Sequence, residues 1–370
     1  MDLGKFREAL RRDASRGLVG AMRVRLKDVA ARAKVAVNTA STILNRRPNS
    51  WASKETVERV FQAAEELGYR PNRAALGLRI GRFHAIGLLI ADLNNPFYTT
   101  FAHYLTLEAE RAGYDVVIES WRSELDREKK CLEEILNRQL DGVVAFLSDP
   151  MVHREFLASR FRSGNPFVVF GTALGTVPPV DSVISDFEVG LRQAIGRLMG
   201  LGHRRIAFLS ALAEGQSDGH RCRLFSEILG ESASDGGRAE ILRCGPEVES
   251  AYRAARERLS GFRNGSECPT AILTMNDLAA LATIRAAVDV GMRVPEDLSV
   301  VGVDNIPLGT YLPVNLSSIA QPIAQIAATA WEMIWARIER GASEGAPKQV
   351  VYPTEFLERE STGRAPVLVK

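Results

Sequence analysis

A chain of 370 residues with 46% hydrophobic content can form two or three domains with buried cores. It holds no run of about eighteen apolar residues, so nothing in it reads as a membrane span. The net charge of +2 is unevenly spread: residues 21–82 carry 13 Lys and Arg against 5 Asp and Glu, whereas residues 83–370 are acidic by a net of eight charges. A basic segment on an acidic body is what phosphate contact by one small domain requires. The cysteines Cys131, Cys222, Cys244 and Cys268 are scattered without metal-type spacing and read as free thiols of a cytoplasmic protein.

Residues 1–21 lack the apolar core of a secretory signal. Lys5, Arg7, Arg11, Arg12 and Arg16 could form a basic, disordered arm, or translation could start at Met22. From Leu26 the pattern becomes helical. Val29, Ala30 and Ala33 recur on one face of a first helix over 26–33. A break at Lys34 to Ala36 follows, then a second helix over 37–44 with Ala40 and Leu44 turned inward. Val37, Asn38, Ser41 and Thr42 would then face out, small and polar enough to touch base edges. Ser53 as N-cap and Glu55 in the first turn open a third helix. Its stripe is Val57, Val60, Phe61, Ala64 and Leu67, and it stops at Gly68 before Pro71. Three short helices with one shared apolar side can present the second to a DNA major groove. Arg25, Lys27, Arg46 and Arg47 suit phosphate contacts, and Trp51 could pack on the head or stand exposed.

From Phe83 onward strands and helices alternate. Strands are expected at 85–91, 114–119, 141–147, 166–170, 182–185, 205–210, 270–274 and 298–304. Helices are expected at 97–112, 125–138 and 187–201, with another between 147 and 166. Continuous Val/Ile/Leu runs between helices indicate parallel sheets covered on both faces. Two such sets imply two doubly wound lobes. In open sheets of this kind ligands sit beyond the carboxyl ends of the strands. Asn94, Phe97 and Tyr98, Arg223, Asn276, and Asp304 fall there. A carboxylate, an arginine and an amide in one cleft suit a polyhydroxylated ligand, with Phe97 as cover for an apolar sugar face. Plainer roles compete: a surface ion pair for Arg223, a turn or cap for Asn276 and Asp304, core packing for Phe97. Enzyme readings lack support, since no Gly-x-Gly-x-x-Gly follows a strand and no Walker loop is present. Ser217-Asp218-Gly219-His220 holds triad residue types, but adjacency in sequence is not triad geometry. No cofactor or metal site is expected.

Residues 26–82 resemble the DNA-binding head of the lactose-repressor (LacI/GalR) family. The matching residues are Leu26, Asp28-Val29-Ala30, Ala33, Val35, Thr39, Ser41, Asn45, Ser53, Thr56, Val60, Leu67, Gly68-Tyr69 and Pro71-Asn72. The body resembles the same family's effector domain, akin to periplasmic sugar-binding proteins. The motifs that carry this are Asn95-Pro96-Phe97, Asp141-Gly142-Val143-Val144, Leu201 to Phe208, Asn276-Asp277, Val294 to Gly302, Gln321-Pro322 and Arg359 to Thr362. The resemblance implies DNA contacts from Arg25, Leu26, Lys27, Ala36, Val37, Asn38, Thr39, Ser41, Thr42, Asn45, Ser53 and Thr56. It also implies a hinge helix over 72–79, with Asn72, Ala75 and a minor-groove wedge at Leu78. Gly77 weakens that helix by about 1 kcal/mol relative to alanine, so the hinge is expected to order on DNA. Effector contacts are implied for Asn94, Phe97, Tyr98, Arg223, Asn276 and Asp304.

The expected organisation is an extension (1–21), a helix-turn-helix domain (22–69), a hinge (70–82) and an effector and dimerisation domain (83–370). In that last domain one lobe would hold 83–185 and 322–348, the other 186–321 and 349–362. The chain would cross between lobes near Ser185, Gln321 and Gln349. The family's tetramer-forming tail has no counterpart, since only Gly363 to Lys370 follows the last motif. Three departures stand out in the head. Lys34 replaces a turn glycine, costing about 1 kcal/mol if left-handed. Ala36 replaces a serine N-cap, costing about 1 kcal/mol more. Thr42 stands where an arginine is common, so a bidentate contact to guanine is lost. In the body Gly171-Thr172 replaces an aspartate, and Ser226-Glu227 replaces Gly-Phe. The resemblance implies a homodimeric repressor of a pseudo-palindromic operator, controlled by a small effector, by family default a carbohydrate. A rival reading is a solute-binding or enzymatic α/β protein with an incidental helical head. The missing export signal and the basic head count against it.

Overall fold

The computed structural model describes residues 24–45, 52–70, 77, 81–148, 152–171, 179–211, 219–232, 236–261, 268–340 and 345–366. It divides into two compact units, residues 1–83 and 84–370. In the first unit, α1 (Leu26–Arg32), α2 (Val37–Leu44) and α3 (Lys54–Glu66) share a core of Val29, Ala30, Ala33, Ala40, Ile43, Val60, Ala63 and Ala64. Five of these are alanines, and small contact residues let short helices approach closely. Arg59 Nε donates to Ala33 O at 3.0 Å, tying α3 to the end of α1. Ser53 caps α3 through Thr56 N, as its residue type predicts. Phe61 departs from the expected stripe: it is exposed, and Ala63 takes the buried place.

The second unit holds two six-stranded sheets. The first has the order β11 (Gln349–Pro353), β5 (Asp181–Asp186), β4 (Phe167–Gly171), β3 (Gly142–Phe146), β1 (Ala85–Ile90), β2 (Asp115–Ser120), all parallel. One of its faces is covered by α4 (Pro96–Arg111) and α11 (Ile323–Arg340), the other by α5 (Leu125–Leu136) and α6 (Arg154–Arg162). The second has the order β12 (Glu355–Leu357), β10 (Ser317–Ala320), β9 (Ser299–Asp304), β8 (Ala271–Thr274), β6 (Arg205–Ala211), β7 (Arg238–Cys244). Only β12 runs antiparallel in it. Its faces are covered by α7 (Phe187–Gly200) with α8 (His220–Glu231), and by α9 (Val248–Leu259) with α10 (Asp277–Asp289). Strands buried on both faces explain the unbroken apolar runs at 86–90 and 300–303.

The chain passes between lobes after Asp186, after Ala320 and after Pro353. The third crossing corrects the expectation of one near Gln349. β11 pairs with β5 from Gln349↔Ser182 to Pro353↔Asp186, so residues 349–353 belong to the first lobe. Buried Thr354 makes the crossing, its N and Oγ1 each donating to Asp186 O at 2.9 Å.

Candidate nucleic-acid interface and effector cleft

The start of α2 presents Ala36, Val37 and Asn38 exposed, with Thr39 and Thr42 half-buried beside them. Ala36 is the N-cap and makes no side-chain cap bond, so the first N–H groups of α2 stay open to an anion. Lys34 has φ of 54°, the left-handed conformation that a lysine adopts at a cost. Arg25 and Lys27 stand exposed on α1, and Ser53 on the cap of α3, with Leu26 and Thr56 half-buried. Ser41 corrects the sequence reading. It is buried, and its carbonyl accepts from Asn45 Nδ2 at 2.6 Å. Ile43 rather than Leu44 is the deeply buried residue of that turn. Thr42 Oγ1 donates to Asn38 O at 2.9 Å, a bond that a base contact would have to share or break. Asn72, Ala75 and Leu78 lie outside the described residues, as do Arg46, Arg47 and Trp51. Gly77 is described and helical, and a Cβ there would run into the Phe83 ring.

In the second unit the carboxyl ends of β1, β5, β8 and β9 bring together a buried polar cluster. Asp304 closes β9 with φ of 103°, and Asn305 follows at 57°. Two successive non-glycine residues at positive φ are strained, and such strain collects at functional sites. Asp304 Oδ1 accepts from Gln321 Nε2 at 2.7 Å. Gln321 Oε1 accepts in turn from Ser185 Oγ at 2.7 Å. Behind Asp304 lies Asp277, which accepts from Ser318 Oγ and from Ile306 N, both at 2.7 Å. Gly302 is required at its position, because any Cβ would collide with the Asp277 carboxylate. Burial pushes the Asp277 carboxyl up to about 6, against the pull of its hydrogen bonds. Burial, then the field of Asp277, holds Asp304 well above the usual carboxylate range. Tyr98 is raised by burial and then by Asp304, while Arg221 opposes.

Arg221 is the cation whose charge opposes the upward shifts of Asp304 and Tyr98. Its Nη1 donates to Met275 O at 2.7 Å, its guanidinium lies 5.0 Å from the Phe187 ring centroid, and its field acts on both Asp304 and Tyr98. Arg223, the residue expected there, is exposed two residues further along α8, where its field acts on His220. Phe97 is not a platform for a sugar face. It is buried edge-on against Tyr98 and Phe146 at 5.1 and 5.7 Å, inside the first lobe's core. Asn276 caps α10, its Oδ1 accepting from Ala279 N at 2.8 Å. Asn94 is exposed, and its backbone N–H closes a turn on Asp92 Oδ1. Of the six expected residues the structure therefore gathers Tyr98 and Asp304. It adds Asn95, Arg221, Asp277 and Gln321, of which Asn95-Pro96 and Gln321-Pro322 were visible as motifs.

Two other features were tested for chemistry. Glu119, Cys131 and Glu134 bring possible ligand atoms within 4.8 Å of one another. Glu119 is already paired with Arg138 at 2.7 Å and Glu134 faces Lys130 at 3.8 Å, so no metal centre is assigned. Gly215 to Gly219 has the spacing of a nucleophile elbow between a strand and a helix, but Ser217 lies outside the described residues.

A three-helix head with an exposed start of its second helix, ahead of two doubly wound lobes, is the architecture of a DNA-binding regulator. The comparisons agree. Residues 25–72 match the model for bacterial regulatory proteins of the lacI family, and residues 195–362 match a periplasmic binding protein-like domain. The catabolite control protein A of Priestia megaterium is 30% identical over 341 residues, covering 92% of this chain and all of that protein. The crystal structure of the lac repressor dimer bound to operator and the anti-inducer ONPF superposes with a TM-score of 0.75 at 24% identity, covering 92% of this chain and 99% of that one. A complex of the transcriptional regulator CelR with cellobiose gives 0.62 at 28% identity, covering 92% and 100%. The chain belongs to the lacI family of transcriptional repressors. Among the described residues no helix is long and apolar enough to cross a membrane.

Proposed function

We propose that the chain acts in the cytoplasm as a homodimeric repressor of a pseudo-palindromic operator, each head reading one half-site with α2, and that a small polyhydroxylated effector in the interlobe cleft controls it. The observation that carries the DNA reading is the start of α2, where Ala36, Val37 and Asn38 are exposed, as are the cations Arg25 and Lys27 at the start of α1. Asn38 is suited to a base edge, whereas Arg25 and Lys27 suit phosphates. Ser41 points inward and drops out of the contact set. For the effector, the cleft offers a carboxylate (Asp304), a guanidinium (Arg221), two amides (Asn95, Gln321) and a phenol (Tyr98). Such a mixture of donors and acceptors matches hydroxyl groups, and the cellobiose complex of CelR supports a carbohydrate. A second copy of the chain suits the exposed Tyr104, Leu107 and Ile118 of the first lobe and Leu308 and Tyr311 of the second, the last 81% exposed.

Binding to random duplex at several salt concentrations tests the phosphate contacts. The log–log slope should be about −0.9 per contact, and Arg25→Ala should weaken all sequences alike. An affinity independent of salt would remove the head from the interface. Sedimentation should find a dimer that Tyr311→Asp weakens, and a monomer at all concentrations would contradict the homodimer.

A further inference from the structure

The strained end of β9 is held from within the second lobe. Asp304 and Asn305 both take positive φ, 103° and 57°, and an L residue sheds such strain by relaxing toward negative φ. The polar groups of the bend show what opposes that relaxation. Ile306 N donates to Asp277 Oδ2 at 2.7 Å. Asn305 N donates to Ser318 Oγ at 3.0 Å, and that hydroxyl donates to Asp277 Oδ1 at 2.7 Å. One carboxyl group therefore serves two successive main-chain N–H groups, one directly and one through a serine. Successive N–H groups beside a left-handed residue form a concavity that suits an anion, and here the protein supplies it. Asp277 and Ser318 are buried, and the missing Cβ of Gly302 gives the Asp277 carboxyl group its room against β9.

We propose that Asp277 is a positioning residue of the cleft, which holds the Asp304–Asn305 bend and so keeps the Asp304 carboxyl group at the carboxyl end of β9. Ser318 is its relay to Asn305. Two further side chains grip the bend, and neither protects these N–H groups. Arg359 Nη2 donates to Asn305 Oδ1 at 2.6 Å, and Gln321 Nε2 donates to Asp304 Oδ1 at 2.7 Å. Asp277 begins α10, Ser318 lies in β10 and Arg359 follows β12, so segments distant in sequence set the bend together. With both of its oxygens engaged, Asp277 serves to aim Asp304 rather than to meet a ligand. That Asp304 meets an effector rests on the reading proposed above, whereas the hold on the bend does not.

Amide exchange resolved to single residues, and carboxyl labelling, both on the full-length chain without ligand, test the hold. Asp277→Ala should raise exchange several-fold at Asn305 and Ile306 together. Ser318→Ala should raise it at Asn305 and leave Ile306 nearly unchanged. Asp277→Asn keeps an acceptor for Ile306 N and should restore most of the protection there. Labelling by a carbodiimide with glycine ethyl ester should increase several-fold at Asp304 in Asp277→Ala, while buried Asp181 of the first lobe stays unlabelled. A residue that only stabilised the second lobe would raise exchange throughout β8 and β9 and would not separate Asn305 from Ile306. A rise shared equally by 271–274 and 300–303, no rise at Asn305 in either alanine variant, or unchanged labelling of Asp304 would overturn the proposal. Should Asp277→Ala fail to fold, Ser318→Ala decides by the same two readouts. An effector search that finds nothing leaves this result standing, and a bend that does not loosen leaves effector contact by Asp304 open.

Discussion

Ala36, Val37 and Asn38 are exposed at the start of α2, whereas Asp304, Gln321 and Ser185 are buried and joined by hydrogen bonds through Gln321. The contrast follows from what each region binds. A DNA duplex is rigid and brings its own charges, so the head needs only an open surface of fixed shape. A small effector must be enclosed, so the cleft has to satisfy its polar groups when empty and exchange those bonds when filled. Head variants should therefore act through DNA affinity alone, and cleft variants through ligand response alone.

The largest effect expected is that of Asp304→Ala. Losing a buried hydrogen-bond partner costs about 1–3 kcal/mol, on the order of ten- to a hundredfold in effector affinity. Operator binding without ligand should persist if the effector is an inducer, giving constitutive repression, and repression should fail if it is a corepressor. Arg221→Gln should cost about tenfold in effector affinity, about 1.4 kcal/mol. Arg223→Gln, at an exposed position, should stay within about 0.5 kcal/mol. Equal losses in the two variants would return the effector contact to Arg223.

The cleft should also respond to pH in a way that the head does not. Asp277 has its carboxyl raised by burial from 3.8 to about 6. The folded state thus binds the proton more tightly than the unfolded chain does, and the stability this confers is lost as pH rises through that interval. Buried His203 works in the opposite sense. Held by Thr270 Oγ1 and Gly363 O at 2.9 and 3.0 Å, it has a pKa lowered from 6.5 by burial, so its contribution is lost as pH falls below that value. The denaturant-midpoint profile should flatten on its acid side for His203→Gln, and for Asp277→Asn it should lose the fall between about pH 4 and 6. Unchanged profiles would contradict both assignments. The smallest effects belong to the head. Lys34→Gly should stabilise it by about 1 kcal/mol, and Ala36→Ser by up to about 1 kcal/mol, as read from its melting.

The head was largely legible in the sequence because its signals are local: the Ser53 cap, the stop at Gly68, and a lysine where the turn needs positive φ. Ser41 was misplaced because one buried serine in an eight-residue helix does not disturb the polar pattern. In the body the apolar strands stood out, but β7, β10, β11 and β12 did not. β7 is an edge strand rich in charge, and β12 has three residues. β10 is central yet opens with two serines, which is tolerable only because Ser317 and Ser318 find partners in Thr362, Arg359 and Asp277. Those partners are distant in sequence. Arg221 was missed because the choice between it and Arg223 depends on the phase of α8, which starts at His220. Family position pointed to Arg223, whereas the charge that bears on Asp304 and Tyr98 is that of Arg221.

The separation of DNA reading from ligand response is tested most directly by titrating Asn38→Ala and Asp304→Ala side by side. The DNA would be a labelled operator selected from a random duplex pool by the wild-type protein, and the ligand an effector found by screening sugars and amino sugars for thermal stabilisation. The account predicts that Asn38→Ala loses discrimination between operator and random DNA, by about 1–3 kcal/mol, with an unchanged ligand midpoint. Asp304→Ala should keep that discrimination while its ligand midpoint moves ten- to a hundredfold. Equal losses on operator and random DNA for Asn38→Ala, together with an unmoved midpoint for Asp304→Ala, would contradict it.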